Sequence, residues 1–487
     1  MTKSTEIICS ANDLANSSTR LTGKVDKTWR EKSKSALKQI KRILRETTVE
    51  PCLFIYMMCI SLSALAVQNM HLEKSCRVNY DFGDDICDRI ANRNTTGLED
   101  ELKKVQSSVA NVVAWKYPLQ TLIPAFSVIF VGAWSDRTRK RKICILAPLV
   151  GEIVSNIGLL LATYYFKELS LSVTAVIETL PSALSGSYIF IYMGVYSFLT
   201  DRTSVENRTF RLGIINICVN IGSPTGTILS GILLEALGYY GMFSLLLVLY
   251  SVALLYGLLK LEDVLPLEKV EKSQEVVPES KFKKIREIVG LAVNTVLVAF
   301  KPRAYNGRRL IISVLILYVI MVGPLYGDSQ VAYLFAILKF NFTSVEYSVY
   351  GTINIVFGLF GTAFCIYVLS KRYQVQDSII GIIAGVSRIA ACFVFAFAPS
   401  RIWFYSAPAF NIFSQTGLTA VRSMATKSVP IDEVAKLSSL IGVMEGIASS
   451  IYNPISSSIY NTTIDNFPGA FYMFDAALTV IAILIFT

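Results

Sequence analysis

Charged side chains fall inside long apolar stretches of this 487-residue chain. They are Lys116, Glu152, Glu178, Glu235, Asp328, Arg388, Arg422, Glu445 and Asp475. Charges in such stretches are costly and are usually functional or paired. A carboxyl group in a low-dielectric cavity can exchange protons near neutrality, and a guanidinium can hold an anion through two parallel hydrogen bonds. These residue types therefore indicate proton exchange and anion binding.

Three of these charges lie well inside their stretches: Glu152, Arg388 and Glu445. Glu445 is a candidate proton carrier, although it could instead form a permanent ion pair, for which Arg388 is the partner we consider. Glu152 has the same two interpretations. Because buried charges are retained for one purpose or the other, the sequence leaves both open.

Arg422 and Asp328 are candidates for binding substrate or protons. Arg422 could recognise an anionic group, or it could anchor the end of its helix beside the cytosol. Asp328 follows "GPLYG" (323–327), whose proline and two glycines predict a break in the helix. Broken helices line cavities in many transport proteins, but such kinks also serve packing.

Other kinds of chemistry lack the residues that they need. The chain has no glycine-rich phosphate loop with a lysine and no nucleophile–base arrangement. Its nine cysteines fit no zinc or haem spacing. We therefore expect no enzymatic activity, no metal site and no cofactor, with the proton as the coupling ion.

The elements that carry these residues are predicted to be membrane-spanning helices. The composition is 53% hydrophobic and 17% charged, and about 20 mostly apolar residues suffice to cross a bilayer. Twelve such runs are present, over residues 51–71, 111–133, 143–165, 173–199, 212–237, 242–260, 310–337, 346–369, 377–398, 402–424, 437–460 and 469–487. The predicted fold class is an all-α integral membrane protein.

The distribution of charge predicts the topology. Lys and Arg collect in cytoplasmic loops, and most of the 46 in this chain precede the first run or lie in alternate loops. The N-terminus is therefore expected in the cytosol. The net charge of +10 reflects this topology, so no nucleic-acid partner is implied. Residues 1–50 are polar and lack an apolar signal core.

The twelve predicted helices divide into two sets of six. We expect a cytosolic tail (1–50), a six-helix bundle (51–260), a cytosolic linker (261–309) and a second six-helix bundle (310–487). The second part of the linker has apolar residues at helical spacing and could lie on the membrane surface. Two such repeats place a substrate site between them, near the middle of the membrane.

The long loop predicted to lie outside (72–110) carries Cys76 and Cys87. An oxidising compartment allows a disulfide between them, with two free thiols as the alternative. Glycosylation sequons begin at Asn94, Asn341 and Asn461, each in a predicted outer loop.

A basic cluster, "GAWSDRTRKRK" (132–142), follows the second apolar run. It resembles the loop motif of the major facilitator superfamily, although Arg139 stands where that motif prefers glycine. The resemblance implies that Asp136, with Arg137, Arg139 and Arg141, latches neighbouring helices at the cytosolic side. The alternative is a charge cluster that serves only topology.

Three further stretches resemble solute carrier family 46, the family of the proton-coupled folate transporter: "TVEPCLF", "YSFLTDRTSVENRTFRLG" (196–213) and the segment 420–472 that begins "AVRSMATKSVP". The resemblance implies the twelve-helix fold with two pseudo-repeats. It also implies a gating role for Asp201, Arg208 and Arg211, with a solvated loop as the alternative. It further implies a substrate- or proton-binding role for Arg422.

Two departures from the folate-transporting members argue against folate itself. Those members carry a carboxylate early in the fifth span, where this chain has Asn216, and they use a histidine inside the membrane. The single histidine here, His71, ends the first predicted span.

The sequence thus predicts a secondary transporter that moves an organic anion or amphipathic solute, such as a folate-like compound, a cyclic dinucleotide or a conjugate, with protons. The alternative is a receptor or scaffold that has a transporter fold. We expect a small-molecule substrate, protons and membrane lipid as partners, possible homo-oligomers, and a multi-pass protein of the plasma membrane or the lysosomal membrane.

Overall fold

The computed structural model describes residues 48–203, 205–263, 307–429 and 431–487. Side chains are not described at residues 129, 133, 136, 137, 205–210, 307, 431–436, 438 and 439. The amphipathic helix predicted in the linker lies outside the described residues.

The chain separates into two compact units, Met1–Pro51 and Cys52–Thr487. Of the first unit, only residues 48–51 are described. Within the second unit we call residues 52–263 the first half and residues 307–487 the second half. The sequence division into two six-helix bundles stays a prediction.

The described regular structure is entirely helical. The first half contains α1 (Glu50–Lys74), a π-helical turn (Ser75–Asn79), α2 (Asp84–Ala91), α3 (Glu99–Thr138), α4 (Lys142–Tyr164), α5 (Leu171–Ser185), α6 (Ser187–Arg202) and α7 (Val205–Lys260). The second half contains α8 (Gly307–Phe340), α9 (Ser344–Phe364) with a π-helical turn (Cys365–Arg372), α10 (Asp377–Phe397), α11 (Arg401–Phe410), α12 (Thr416–Lys427), α13 (Ile431–Thr463) and α14 (Ala470–Phe486). Helices account for most residues of each of the twelve predicted spans, and the all-α prediction is confirmed.

Seven described segments are long and apolar enough to cross a membrane by length and composition alone: Glu50–Asn79, Lys142–Tyr164, Leu171–Arg202, Arg211–Lys260, Arg308–Phe340, Ser344–Arg372 and Asp377–Phe397. One of them, Arg211–Lys260, contains two predicted spans.

Two glycines set sharp changes of direction that hydropathy alone does not place. Gly186, with φ of 97°, separates α5 from α6 inside one predicted span. Gly238, with φ of 62° and ψ of −171°, bends α7 between its two spans. Both backbones have positive φ, which glycine adopts without the steric penalty of a Cβ atom.

Two other boundaries correct the sequence prediction. The predicted span 402–424 is divided into α11 and α12 by turn residues. The predicted outer loop 72–110 contains α2 and the first part of α3. The helical segments within 72–110 are rich in charged and polar residues, which is why the apolar pattern did not predict them.

The predicted break at "GPLYG" is also wrong, because α8 continues through Pro324. A Cβ atom at Gly323 would lie 2.2 Å from the ring of Tyr452, and one at Gly327 would lie 2.2 Å from Ser456 Oγ. Both of these neighbours belong to α13. The two glycines therefore allow α8 and α13 to approach closely, and the motif serves packing.

The two halves contact each other along α3 with α13 and along α7 with α9. We call the end that carries Cys76 and Cys87 the disulfide end, and the opposite end, next to residues 261–263, the linker end. One buried apolar core lies at the disulfide end and draws residues from both halves, for example Val109 and Phe335. Another lies near the linker end and draws its buried residues from the second half alone.

Candidate functional site

Arg422, on α12, and Glu445, on α13, form an ion pair with 3.0 Å between Nη2 and Oε2. The Tyr318 hydroxyl accepts a hydrogen bond from the same Nη2 at 2.8 Å and donates one to Oε2 at 3.0 Å. Tyr326 donates to Oε1 of Glu445 at 2.6 Å. Three groups therefore hold this carboxylate. We call the four residues the Arg422 cluster.

The Arg422 cluster is open to solvent on the arginine side. The side chain of Arg422 is 55% exposed, whereas that of Glu445 is 26% exposed. A guanidinium has five N–H donors, and the two described contacts use only Nη2. The cluster therefore has donors that can bind a second anion beside Glu445.

A row of three tyrosines lies near this cluster on α6 of the first half. Tyr188, Tyr192 and Tyr196 follow one another at four-residue spacing, with ring centroids 6.4 and 6.3 Å apart. Tyr188 and Tyr192 lie within electrostatic range of the Glu445 carboxylate, and Tyr196 lies within that of the Arg422 guanidinium. The three are half-buried. Such a row can receive the apolar body of a ligand and donate hydrogen bonds to its edge.

A second charged group is fully enclosed in the second half. Nη2 of Arg388, on α10, donates to Asp328, on α8, and to Asp475, on α14, the latter at 2.6 Å. Their exposed fractions are 8%, 6% and 0% in that order. One oxygen of each aspartate, Oδ1, has no hydrogen-bond donor. We call these three residues the Arg388 triad.

The sequence interpretation that paired Glu445 with Arg388 is therefore wrong. Glu445 pairs with Arg422, and Arg388 pairs with two aspartates. Depth along a helix does not specify which way a side chain faces. The structure thus divides the predicted binding residues of the second half between two separate clusters.

Glu152 lies in the first half, on α4. The Ser182 hydroxyl donates a hydrogen bond to its Oε1 at 2.6 Å. No cation within the described part of the chain lies at ion-pair distance from it. Glu152 is therefore a half-buried carboxyl group without a countercharge among the described residues.

A further ion pair, largely shielded from solvent, lies nearby. Lys116 Nζ donates to both carboxylate oxygens of Glu178, at 2.6 and 2.7 Å. His71 Nε2 lies 3.3 Å from Glu178 Oε2, without the orientation of a hydrogen bond. The histidine that ends the first predicted span is thus buried beside a carboxylate whose charge is already matched.

The predicted gating residues meet at the linker end of the first half. Arg139 Nη1 lies 2.6 Å from Asp201 Oδ1, and Arg141 Nε lies 3.0 Å from Asp201 Oδ2. Arg141 also donates to Ser135 Oγ at 3.0 Å. Arg211 lies half-buried on α7. The side chains of three other predicted gating residues, Asp136, Arg137 and Arg208, lie outside the described ones.

Arg139 departs from the motif at a position where the backbone explains the preference for glycine. It caps α3 with φ of 56° and ψ of 18°, which is the left-handed region. Glycine commonly ends helices in this conformation because it has no Cβ. In this chain an arginine adopts that conformation, and its side chain contributes one of the two contacts with Asp201.

At the disulfide end, mostly neutral side chains join the halves. Thr95 donates to Asn341 Oδ1 at 2.9 Å, and Asn461 donates to Asn111 Oδ1 at 2.7 Å. Further links are Asn69 with Ser344, Arg93 with Tyr333, Gln106 with Leu334 and Tyr460, and Thr121 with Ser450. By contrast, the ion pairs described at the linker end each join residues of one half, such as Arg139 with Asp201 and Lys427 with Asp377. The disulfide end is therefore closed.

Cys76 and Cys87 are paired in a disulfide, with their Cα atoms 5.8 Å apart. Arg77, beside this bond, donates to Asp84 at 2.6 Å and also contacts Asp88. Its guanidinium lowers the pKa of the exposed Asp84 carboxyl group. Of the three sequon asparagines, Asn94 is exposed, whereas Asn341 and Asn461 are half-buried between the halves.

Several residues of these clusters escaped the sequence analysis. Asp475 was visible as a charge in an apolar run, but nothing marked it as a partner of Arg388. Tyr318, Tyr326 and the tyrosine row were hidden among 24 tyrosines, although their i, i+4 spacing on α6 was a usable signal. Among the described residues, no group of three or more His, Cys, Asp or Glu could hold a metal ion.

Comparison with known proteins identifies the fold. The family model described as "Major Facilitator Superfamily" matches residues 51–453. The chain belongs to the major facilitator superfamily. As a member, it is a multi-pass membrane protein and a secondary transporter of small molecules rather than an enzyme.

The curated relatives confirm the resemblance to solute carrier family 46. A probable peptidoglycan muropeptide transporter SLC46 of Drosophila melanogaster is 23% identical over 444 residues, covering 90% of this chain and 84% of the relative. The lysosomal proton-coupled steroid conjugate and bile acid symporter SLC46A3 of Gallus gallus is 23% identical over 436 residues, covering 89% and 91%.

The solved structures agree on the fold. The human organic anion transporter MFSD10 has a TM-score of 0.60 at 14% identity, over 90% of this chain and 98% of that one. At this identity the likeness shows the superfamily fold alone.

Proposed function

We propose that this superfamily member carries a bulky organic anion together with protons, by alternating access between its two halves. The observation that supports this most is the half-exposed guanidinium of Arg422, paired with Glu445 and close to the tyrosine row of α6. Charge, hydrogen-bond donors and aromatic surface come together there. This combination suits a solute with an anionic group and an apolar body.

In this mechanism the anionic group of the solute binds Arg422. It competes with Glu445, because both are acceptors for the same guanidinium. A carboxylate that loses its cation in a confined site favours its neutral form. Glu445 therefore takes up a proton as the solute binds, and the tyrosine hydroxyls of Tyr318 and Tyr326 keep it in place.

The closed disulfide end indicates which conformational state of the transport cycle the structure represents. We propose that the linker end faces the cytosol, because most Lys and Arg residues flank it and the disulfide lies at the opposite end. The structure then corresponds to an inward-facing state. Arg139 and Arg141, with Asp201, would act as the gate that rearranges when the cytosolic side closes.

The names of the relatives narrow the substrate class. A steroid conjugate or bile acid combines an apolar ring system with an anionic group, and a muropeptide carries carboxylates. We propose a solute of this general kind, in the plasma membrane or the lysosomal membrane. Membership of a transporter superfamily supports this function over the receptor alternative. Homo-oligomers and specific lipid contacts stay predictions.

The test is uptake of labelled estrone sulfate, taurocholate, a muropeptide and folate by cells expressing the full chain, at mildly acidic and neutral outside pH. Vesicles serve instead if the protein resides in lysosomes. We expect at least one of the first three to be taken up faster at acidic pH. Arg422→Gln should abolish this uptake.

The matched control is Arg372→Gln, which removes an exposed arginine from the π-helical turn after α9. It should transport normally. Equal uptake by wild type and Arg422→Gln, with both shown to be in the membrane, would exclude Arg422 as the anion site. Uptake that ignores pH would exclude proton coupling.

A further inference from the structure

The Arg388 triad contains an imbalance of charge. A single guanidinium meets two carboxyl groups, and all three side chains are at most 9% exposed. If both carboxyl groups were ionised, the buried group would carry a net charge of −1. Charges this far from water persist only when they are matched.

The geometry shows how the imbalance can be relieved. Both aspartates accept from the same Nη2 of Arg388, and each keeps an Oδ1 atom without a donor. Because both Oδ2 atoms contact one nitrogen, the two carboxyl groups lie side by side. Two carboxylates cannot hydrogen-bond to each other, because neither has a donor. A single proton supplies that donor and makes the triad neutral.

No other described group near the triad can supply a second positive charge. The titratable neighbours are Tyr347 and Tyr350 on α9, Cys392 on α10, Tyr452 on α13 and Tyr472 on α14. All five are neutral in their protonated forms. Arg388 is thus the one cation that faces the two aspartates among the described residues.

The triad is also connected to the Arg422 cluster through α8. Asp328 is two positions from Tyr326, which donates to Glu445 at 2.6 Å. Between them, Gly327 packs tightly against Ser456 of α13, the helix that carries Glu445. A displacement of α8 that accompanies a change of charge at Asp328 therefore reaches the Glu445 carboxylate directly.

We propose that Asp328 and Asp475 share one exchangeable proton against Arg388, and that this triad is a second coupling-proton site of the transporter, in addition to Glu445. When the proton binds, one carboxylate becomes one carboxyl group, and no other bond is made or broken. Arg388 is the fixed countercharge. Glu445 responds to the triad through Tyr326. The coupling role rests on the proposed proton-driven transport, but the shared proton can be tested without any substrate.

The test is infrared spectroscopy of the full-length protein in lipid nanodiscs at neutral pH, with the proton as the only ligand. A protonated carboxyl group gives a C=O stretching band that shifts in D₂O. We compare two difference spectra, wild type minus Asp475→Asn and wild type minus Asp328→Asn. We expect both to show the loss of the same C=O band. In each variant the remaining carboxylate is matched by Arg388 and stays ionised.

Two controls keep the result interpretable. Asp475→Glu keeps a carboxyl group and should keep the band. Glu152→Gln removes a half-buried carboxyl group of the first half and should leave the triad band in place. A band that survives in either aspartate-to-asparagine variant would overturn the shared proton, since the proton would then belong to one residue or to another site.

A second measurement tests whether the shared proton drives transport or is only present in the triad. In vesicles, Asp475→Asn should lose accumulation driven by a pH gradient and keep exchange of internal for external taurocholate. Loss of the infrared band with gradient-driven accumulation intact would overturn the coupling role. A failure of all tested anions in the wild type would instead count against the proposed function, and the infrared result would still decide the shared proton.

Discussion

Tyr326 donates a hydrogen bond to Glu445 at 2.6 Å, so a residue of α8 fixes the carboxylate that neutralises Arg422. The hydroxyl ties α8 to α13 at the point where the candidate substrate site opens. A ligand that displaces Glu445 from Arg422 therefore acts on both helices.

Glu445→Gln should uncouple binding from protons. The amide keeps most of the hydrogen bonds but removes the negative charge that competes for Arg422. Because the pair is partly exposed, the gain in anion affinity should be modest, about threefold to tenfold in KM, which is roughly 0.7–1.4 kcal/mol. The acid stimulation of uptake should disappear. Measuring KM for the transported anion at two pH values checks both effects, and unchanged acid stimulation would remove Glu445 from the mechanism.

Asp201→Asn should impair gating. It removes the charge that holds both Arg139 and Arg141, and Arg141 is only 6% exposed. Breaking a buried pair from one side is destabilising by roughly 3–5 kcal/mol, an upper bound here because Arg139 is about a third exposed. We expect a lower melting temperature and an uptake rate reduced at least several-fold.

Asp263→Asn is the control for that change. Asp263 also lies at the linker end and accepts from the Lys142 amide at 2.7 Å, but it is exposed. It should leave melting temperature and uptake close to those of the wild type. Equal behaviour of the two variants would show that the Asp201 contacts have no gating role.

Glycosylation should occur at Asn94 and be absent from Asn341 and Asn461 in the mature protein. Asn94 is exposed, whereas the other two side chains bridge the halves, and Nδ2 of Asn461, the atom that would carry the glycan, donates to Asn111. Enzymatic deglycosylation should change the electrophoretic mobility of wild type but not of Asn94→Gln. A shift that persists in this variant would place a glycan at one of the bridging sites.

Joining the halves at the disulfide end should stop transport. Thr95→Cys and Asn341→Cys replace two side chains that touch across the halves at 2.9 Å. A short bismaleimide should link them in the double variant and reduce uptake to background, because that end could no longer open. Each single variant, treated identically, is the control for the six native free cysteines within the described residues. Full uptake after complete linkage would show that this end does not open during transport.

The helical spans were predictable because bilayer length and apolar runs impose them directly. The break at Gly186 and the turn between α11 and α12 were not, since each lies inside a continuous apolar run. "GPLYG" shows the opposite error: its residues predict a break, but the neighbouring α13 uses the space that the glycines leave. Local chemistry cannot decide between a kink and a close helix contact.

The sequence allowed the residues of the candidate site to be predicted, but not which of them pair with each other. Arg422, Glu445, Asp328 and Arg388 were visible as charges in apolar runs. Their partners depend on the rotation of helices far apart in sequence, such as α8, α10 and α14. For the same reason Asp475 looked no different from Glu178 or Lys116, although one belongs to an unbalanced triad and the others to a matched pair.

The contacts that close the disulfide end are made largely by amides and hydroxyls. Their low strength affects how fast the transporter can cycle. A neutral hydrogen bond contributes only about 1 kcal/mol because water replaces it when it breaks. The hydrogen bonds of Thr95 with Asn341 and of Asn461 with Asn111 can therefore be replaced by hydrogen bonds to water at little net free energy. The same holds for the partly exposed ion pair of Lys103 with Asp465. Specific geometry then determines where the halves meet, while the barrier to separating them stays low enough to be crossed once in every turnover.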